Sequence, residues 1–195
     1  MHGIYYLVGD RLCEFFPDTQ TLVIRTFDHE TGNEHFQYAI EKGERLEVES
    51  RPFMWANQQL IRTKKPIDIE ENYVRTAQRF GGSGVTKGKP PKSAVFVPMI
   101  VGDVVKGSIS LQNVDRENAF NASDLRLLTT ITNSMSVALE NARLVDETKR
   151  LLKETEQRTA ELAVINSVQE GLVREMDMQA IYEIVGNRIC ELFDT

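Results

Sequence analysis

Residues 4–16, IYYLVGDRLCEFF, return near the other end of the chain as residues 181–193, IYEIVGNRICELF. Eight of the thirteen positions are identical: Ile4/Ile181, Tyr5/Tyr182, Val8/Val185, Gly9/Gly186, Arg11/Arg188, Cys13/Cys190, Glu14/Glu191 and Phe16/Phe193. Leu7/Ile184, Asp10/Asn187 and Leu12/Ile189 are mild exchanges. A match of this length between distant segments points to a repeating module. The chain therefore reads as one full period, residues 1–147, a connector over 148–177, and the first helix of a second, truncated copy over 178–195.

A length of 195 residues suits one well-buried domain. The net charge of −6 leaves no basic face for nucleic acid. No apolar run is long enough to span a bilayer, and no basic-then-apolar start marks a secretion signal, so a cytoplasmic location is expected. Cys13 and Cys190 occupy matching positions on helical patterns and read as buried, reduced thiols. His2, His29 and His35 are too scattered for a metal site.

Ile4, Leu7, Val8, Leu12, Phe15 and Phe16 recur at helical spacing until Pro17 stops the helix. Residues 21–28, TLVIRTFD, are β-branched and read as a strand; a turn at 29–33 returns the chain as a second strand over 34–40. Helices are expected over 53–63 and 73–80, with a short extended piece at 67–69 between them. Residues 81–92, GGSGVTKGKPPK, carry no periodic pattern and read as a mobile loop, a candidate lid over a pocket. Its Gly84–Lys89 is one residue short of a phosphate-binding loop and is followed by Pro90, so it fails that motif. Strands over 94–101 and 104–112 are joined at Gly102-Asp103, where glycine first suits a type II′ turn. In the second of them Ile109 and Leu111 face one way, and Ser108, Ser110 and Gln112 the other.

From residue 122 one long helix is expected. Asn121 is its N-cap, Asp124 completes a capping box, and Phe120 with Leu125 forms a hydrophobic staple. Leu128, Ile131, Met135, Ala138, Ala142 and Val145 repeat at three-and-four spacing, as in a coiled-coil seam. The stripe weakens over the mixed charges of 146–161 and resumes at Leu162, Ile165 and Leu172, with polar Gln169 inside it. The second stretch is out of phase with the first, because Leu152 to Leu162 spans ten residues. Such a stripe is an exposed apolar band unless a second chain covers it, which predicts a parallel homodimer.

Taken together, the order of helix, hairpin, helices, loop, hairpin and long exit helix resembles a GAF domain over residues 4–147. The matching segments are Thr63-Lys64-Lys65-Pro66-Ile67, Ser93-Ala94-Val95-Phe96-Val97-Pro98-Met99, Gly107-Ser108-Ile109-Ser110-Leu111-Gln112-Asn113 and Phe120-Asn121-Ala122-Ser123-Asp124-Leu125-Arg126-Leu127-Leu128. Residues 178–195 resemble the opening of a second such domain, and 148–177 the signalling helices between tandem GAF domains of bacterial sensors. Those parents commonly end in a histidine kinase or an adenylate or guanylate cyclase. The resemblance implies an α+β sandwich: a mainly antiparallel sheet of five or six strands with helices on both faces. One face carries the terminal helices, which often form a dimeric bundle, and the other a small-ligand pocket. Phe53, Trp55, Tyr73, Phe80 and Phe96, with Ser108, Ser110 and Gln112, fall where the family places that pocket.

The particular ligands known for the family fit poorly. Asn113, Phe120 and Asp124 match the spacing of a cyclic-nucleotide pattern, but Val114 and Leu125 stand where it has lysine and glutamate. Strand end, staple and capping box explain the three matches. Attached bilins and the methionine-sulfoxide reductases of this fold use pocket cysteines, and residues 14–189 contain none. Haem would need an axial ligand, and His29 and His35 both flank a hairpin turn. The expectation is a non-enzymatic module that either senses an unidentified small molecule or serves as a ligand-free dimerisation spacer in a tandem array.

Overall fold

In the computed structural model, residues 2–82 and 89–193 are described. The chain divides into two units, Met1–Arg143 and Leu144–Thr195. The elements run α1 (His2–Phe15), β1 (Thr21–Asp28), β2 (Asn33–Glu41), β3 (Glu44–Arg45), β4 (Arg51–Pro52), α2 (Trp55–Thr63), β5 (Ile67–Ile69), α3 (Tyr73–Arg79), β6 (Ser93–Val101), β7 (Val104–Asn113) and α4 (Ala122–Phe193). One antiparallel sheet has the order β3-β2-β1-β7-β6-β5, with β4 also paired to β2. The fold is α+β, as the patterning predicts. The strands that the patterning does not place are β3 and β4, two residues each and too short to show a period. Of the glycine loop expected at 81–92, residues 83–88 lie outside the described residues.

Alternation decides which residues meet which layer. Leu22 and Ile24 of β1, Val95, Val97 and Met99 of β6, and Ile109 and Leu111 of β7 point to one face. They pack there with Tyr5, Leu12 and Phe16 around α1, and with Leu128 and Met135 of α4. On the opposite face, Ala94 and Phe96 of β6 pack with Trp55, Ala56 and Leu60 of α2, Ile69 of β5, and Tyr73 and Ala77 of α3.

β2 serves both faces through a register break. Ile24 pairs with Tyr38, but Arg25 pairs with Phe36, so the extra residue Gln37 forms a bulge. The slip puts Tyr38 on the α1 face and Phe36 and Glu34 on the α2 face, although all three are even-numbered. The Tyr38 hydroxyl donates to Asp10 Oδ1 at 2.9 Å and lies 3.7 Å from Cys13 Sγ. Burial, then these two neighbours, holds its phenol well above the usual range.

The turn between β6 and β7 is the expected one: Gly102 has φ 58, while Asp103 is not among the positive-φ residues. α4 starts on a reciprocal capping box. Asn121 Oδ1 accepts the Ser123 and Asp124 amides at 2.7 and 3.1 Å, and Asp124 Oδ2 accepts the Asn121 amide at 2.8 Å. Phe120 and Leu125 both reach the core.

One expectation about α4 needs correcting. Leu128 and Met135, placed by periodicity on a seam between chains, are buried in the domain's own core, and Ile131 packs against it. A sheet selects the same three-and-four spacing as a partner helix does. The exposed stripe lies further along: Ala138 and Val145 are exposed and Ala142 half-buried. In the second unit Leu151, Leu152, Leu162, Ile165 and Leu172 are exposed, as is Gln169. Arg150 and Arg158 bridge Glu147 and Glu154 there at one-turn spacing, the pattern of a solvated helix face.

Candidate functional site

The sheet face under α2 is built from short and polar side chains as well as aromatic ones. Arg25 sits in the middle strand of that face, at a position where β1 otherwise carries Val23 and Phe27. The bulge delivers Glu34 beside it. β4 brings Arg51 alongside by pairing with Glu34. α2 contributes Asn57 from its buried side, and β7 contributes Ser108 and Ser110.

These six side chains form two hydrogen-bonded groups, joined by the ion contact between Arg25 and Glu34. Arg25 Nη1 donates to Ser110 Oγ at 2.8 Å. Arg51 Nε donates to Glu34 Oε1 at 2.6 Å. The Asn57 amide nitrogen donates to Glu34 Oε2, and its oxygen accepts from Ser108 Oγ at 3.0 Å. Asn57 therefore ties β2 to β7 from above. The Arg25 and Arg51 guanidinium carbons lie 5.2 and 5.0 Å from the centre of the Phe36 ring.

The charges within this group do not cancel. Two guanidiniums flank one carboxylate, which leaves a formal excess of one positive charge. Arg25 is almost fully buried, and its Nε stands 4.0 Å from Glu34 Oε1, beyond hydrogen-bond distance. That Nε has no hydrogen-bond partner among the described residues. Burial lowers the Arg25 pKa to about 10; Glu34 opposes the shift and Arg51 adds to it. A buried donor of this kind favours an acceptor with negative charge.

The residues expected to line a pocket divide into three groups. Trp55, Tyr73, Phe80 and Phe96 do come together, but on each other. The Trp55 ring stacks on Phe80 at 5.8 Å and 4°, and meets Tyr73 and Phe96 edge-on at 5.7 and 6.2 Å. Gly82 presses against the Trp55 ring so closely that a Cβ there would collide with it. Phe53 stands apart, against Phe27 at 5.2 Å and His29 at 5.9 Å. Ser108 and Ser110 are buried inside the polar network, whereas Gln112 is half-buried. Sequence reasoning did not find Arg25, Glu34, Arg51 or Asn57. The one available signal was an arginine within the β-branched run TLVIRTFD.

Two clefts lie elsewhere in the first unit, lined by none of the six residues of the polar network. One of about 480 Å³ runs along Tyr73, Lys89, Lys92, Asp115 and Glu117 at the edge of α3. Another of about 380 Å³ opens on the α1 face, lined by Tyr5, Lys106, Glu140 and Arg143 among others. The residues that match a cyclic-nucleotide pattern have structural duties. Asn113 donates to the Asp18 carbonyl at 2.7 Å and accepts the Asp115 and Arg116 amides; Phe120 is core and Asp124 caps α4. Among the described residues no cluster of three or more His, Cys, Asp or Glu could hold a metal, and no helix is long and apolar enough to cross a membrane.

Comparison with known proteins places this architecture. A family model described as GAF domain matches residues 2–140. The blue-light absorbing form of the PixJ GAF domain of Thermosynechococcus elongatus superposes with a TM-score of 0.59 at 10% identity, over 78% of this chain and 92% of that one. Residues 122 to 287 of a methyl-accepting chemotaxis protein give 0.57 at 14% identity, over 74% and 91%. The GAF domain of a phosphoenolpyruvate-protein phosphotransferase from Coxiella burnetii gives 0.56 at 16%, over 72% and 83%. At these identities the likeness is one of fold. No curated protein matches the chain in sequence.

Proposed function

The chain belongs to the GAF domain family, and from that premise we propose that it is a ligand-sensing module whose site is the sheet face under α2. GAF domains are sensory and regulatory modules of signalling proteins. The ligand is a small molecule with an anionic group, and it is held by Arg25. The observation that carries this reading is the buried Arg25 Nε, unpartnered among the described residues, within a cluster of excess positive charge.

The mechanism is a population shift. Because α2 is tied to the sheet through Asn57, a ligand that reaches Arg25 has to loosen that tie. The same sheet packs α4 on its other face, so a change in strand positions is felt there. The exposed stripe of α4 pairs with its equivalent in a second copy as a parallel homodimer, and the pair passes the change toward an output domain of kinase or cyclase type. The ligand must bind one arrangement better than the other for this to work. Catalysis is not part of the proposal, since the network holds no nucleophile paired with a base.

Amide hydrogen exchange with and without a saturating ligand tests the relay. Altered protection is expected both in α2 and β7 and in α4 beyond residue 140. A change confined to α2 and β7 would sink the relay.

A second reading has its own support. Trp55, Tyr73, Phe80 and Phe96 already fill space among themselves, and Ser108 and Ser110 are fully buried. A module with its pocket filled by its own side chains would act only as a dimerisation spacer.

A further inference from the structure

The contacts of α1 explain which parts of its sequence are repeated. Within residues 4–16, the positions that are not exposed are 4, 5, 8, 9, 12, 13 and 16. Six of these seven are identical in residues 181–193, and the seventh is Leu12 against Ile189. Of the six exposed positions, four differ: Tyr6/Glu183, Leu7/Ile184, Asp10/Asn187 and Phe15/Leu192. The two segments agree where α1 meets its domain and diverge where it meets solvent.

Gly9 and its counterpart Gly186 sharpen the point. A Cβ on Gly9 would stand 2.6 Å from the ring carbons of Tyr38, so α1 seats against β2 only with glycine there. At Gly186 a Cβ would meet nothing within 4 Å. Glycine is the poorest non-proline residue inside a helix, so by itself that stretch of helix has no use for it. The side chains around it are equally unpartnered: Tyr182 is 65% exposed against 7% for Tyr5, and Ile189 51% against 0% for Leu12.

We propose that residues 181–193 are a docking surface for the sheet of a second GAF domain, seated through Tyr182, Val185, Gly186 and Ile189. The partner sheet presents an aromatic ring on its second strand, where Tyr38 stands here, and that ring packs on Gly186. Asp10 bonds both Tyr38 and Arg45, at 2.9 and 2.8 Å. Asn187 keeps the capacity to bond a tyrosine hydroxyl without the charge, so the partner has no need of an arginine at the Arg45 position. A seam between two copies of one helix would call for an apolar stripe, but not for glycine at 186 or for the tyrosine and valine that α1 uses.

The recognition is testable on the sheet at hand. In the variant Y6E/L7I/D10N/L12I/F15L, α1 carries the sequence of residues 181–193. This variant is expected to unfold cooperatively within about 5 °C of the parent, with its α1 amides as protected as before. Loss of α1 protection while β1 and β7 remain protected overturns the proposal. Adding Gly9→Ala to that variant is expected to release α1; retained protection would show that the glycine is not there for the ring. Gly186→Ala in the parent chain tests a second copy as the occupant. An unmoved or raised unfolding midpoint is expected. A lowered midpoint, with dissociation to monomer, would make a second copy the partner and overturn the assignment.

Discussion

Replacing Glu34 with alanine is expected to destabilise the domain by about 3–5 kcal/mol, the range for breaking a buried ion pair from one side. Glu34 is fully buried and accepts from both Arg51 and Asn57. Its removal leaves Asn57 without an acceptor and leaves Arg25 charged and buried, with its nearest carboxylate gone. Arg51 suffers less, since its side chain is partly exposed and can reach water. The asymmetry gives a control. Changing Arg25→Met together with Glu34→Leu removes both buried charges, and is expected to recover most of the loss, because matched apolar replacements of buried pairs are often neutral. Urea unfolding of the three proteins measures this. A single variant that costs less than about 1 kcal/mol would show that water reaches the network.

Trp55→Ala is expected to cost about 3–5 kcal/mol, as for other large aromatics removed from a core. Trp55 is the hub of the smaller core: it contacts Phe80, Tyr73 and Phe96, and is only 5% exposed. Its neighbours come from α3 and β6, so the void cannot close by moving one side chain. Denaturant unfolding separates this from the pocket-wall role that the sequence offered. A residue that only lined an open pocket would cost well under about 1 kcal/mol, because its ring would face water before and after. If the large cost is found, a ligand cannot enter this face without displacing packed aromatics. Binding would then be paid for by opening α2 and α3, which lowers the apparent affinity by the fraction of molecules that are open.

How far the sequence led depends on the kind of signal each feature leaves. β1, β5 and the start of α4 fall where patterning put them, because β-branched runs, prolines and a capping box act locally. The β2 bulge leaves no such trace. It is one extra residue, Gln37, between the Ile24–Tyr38 and Arg25–Phe36 pairs, and it alone puts Glu34 on the face with Arg25. Read by simple alternation, Glu34 would share a face with Tyr38. Arg51 was missed for a related reason: β4 exists only through its pairing with Glu34 and Asn33. Periodicity did find the apolar stripe of α4, but could not say what covers it. Leu128 and Met135 meet the domain's own sheet, whereas Leu162, Ile165 and Leu172 are exposed. Four aromatic residues expected to line a pocket were found together, yet side chains that stack on a ligand and side chains that stack on one another look alike in a sequence.

The central claim is that an anionic small molecule binds at Arg25. Thermal unfolding of the 195-residue chain against a panel of small carboxylates, phosphates, nucleotides, cyclic nucleotides and amino acids tests it most directly. At least one anion is expected to raise the midpoint in a concentration-dependent way, equivalent to about 2.7 kcal/mol at a hundredfold excess over its dissociation constant. No shift with any anion, in a chain that remains folded, would contradict the claim and favour the spacer reading.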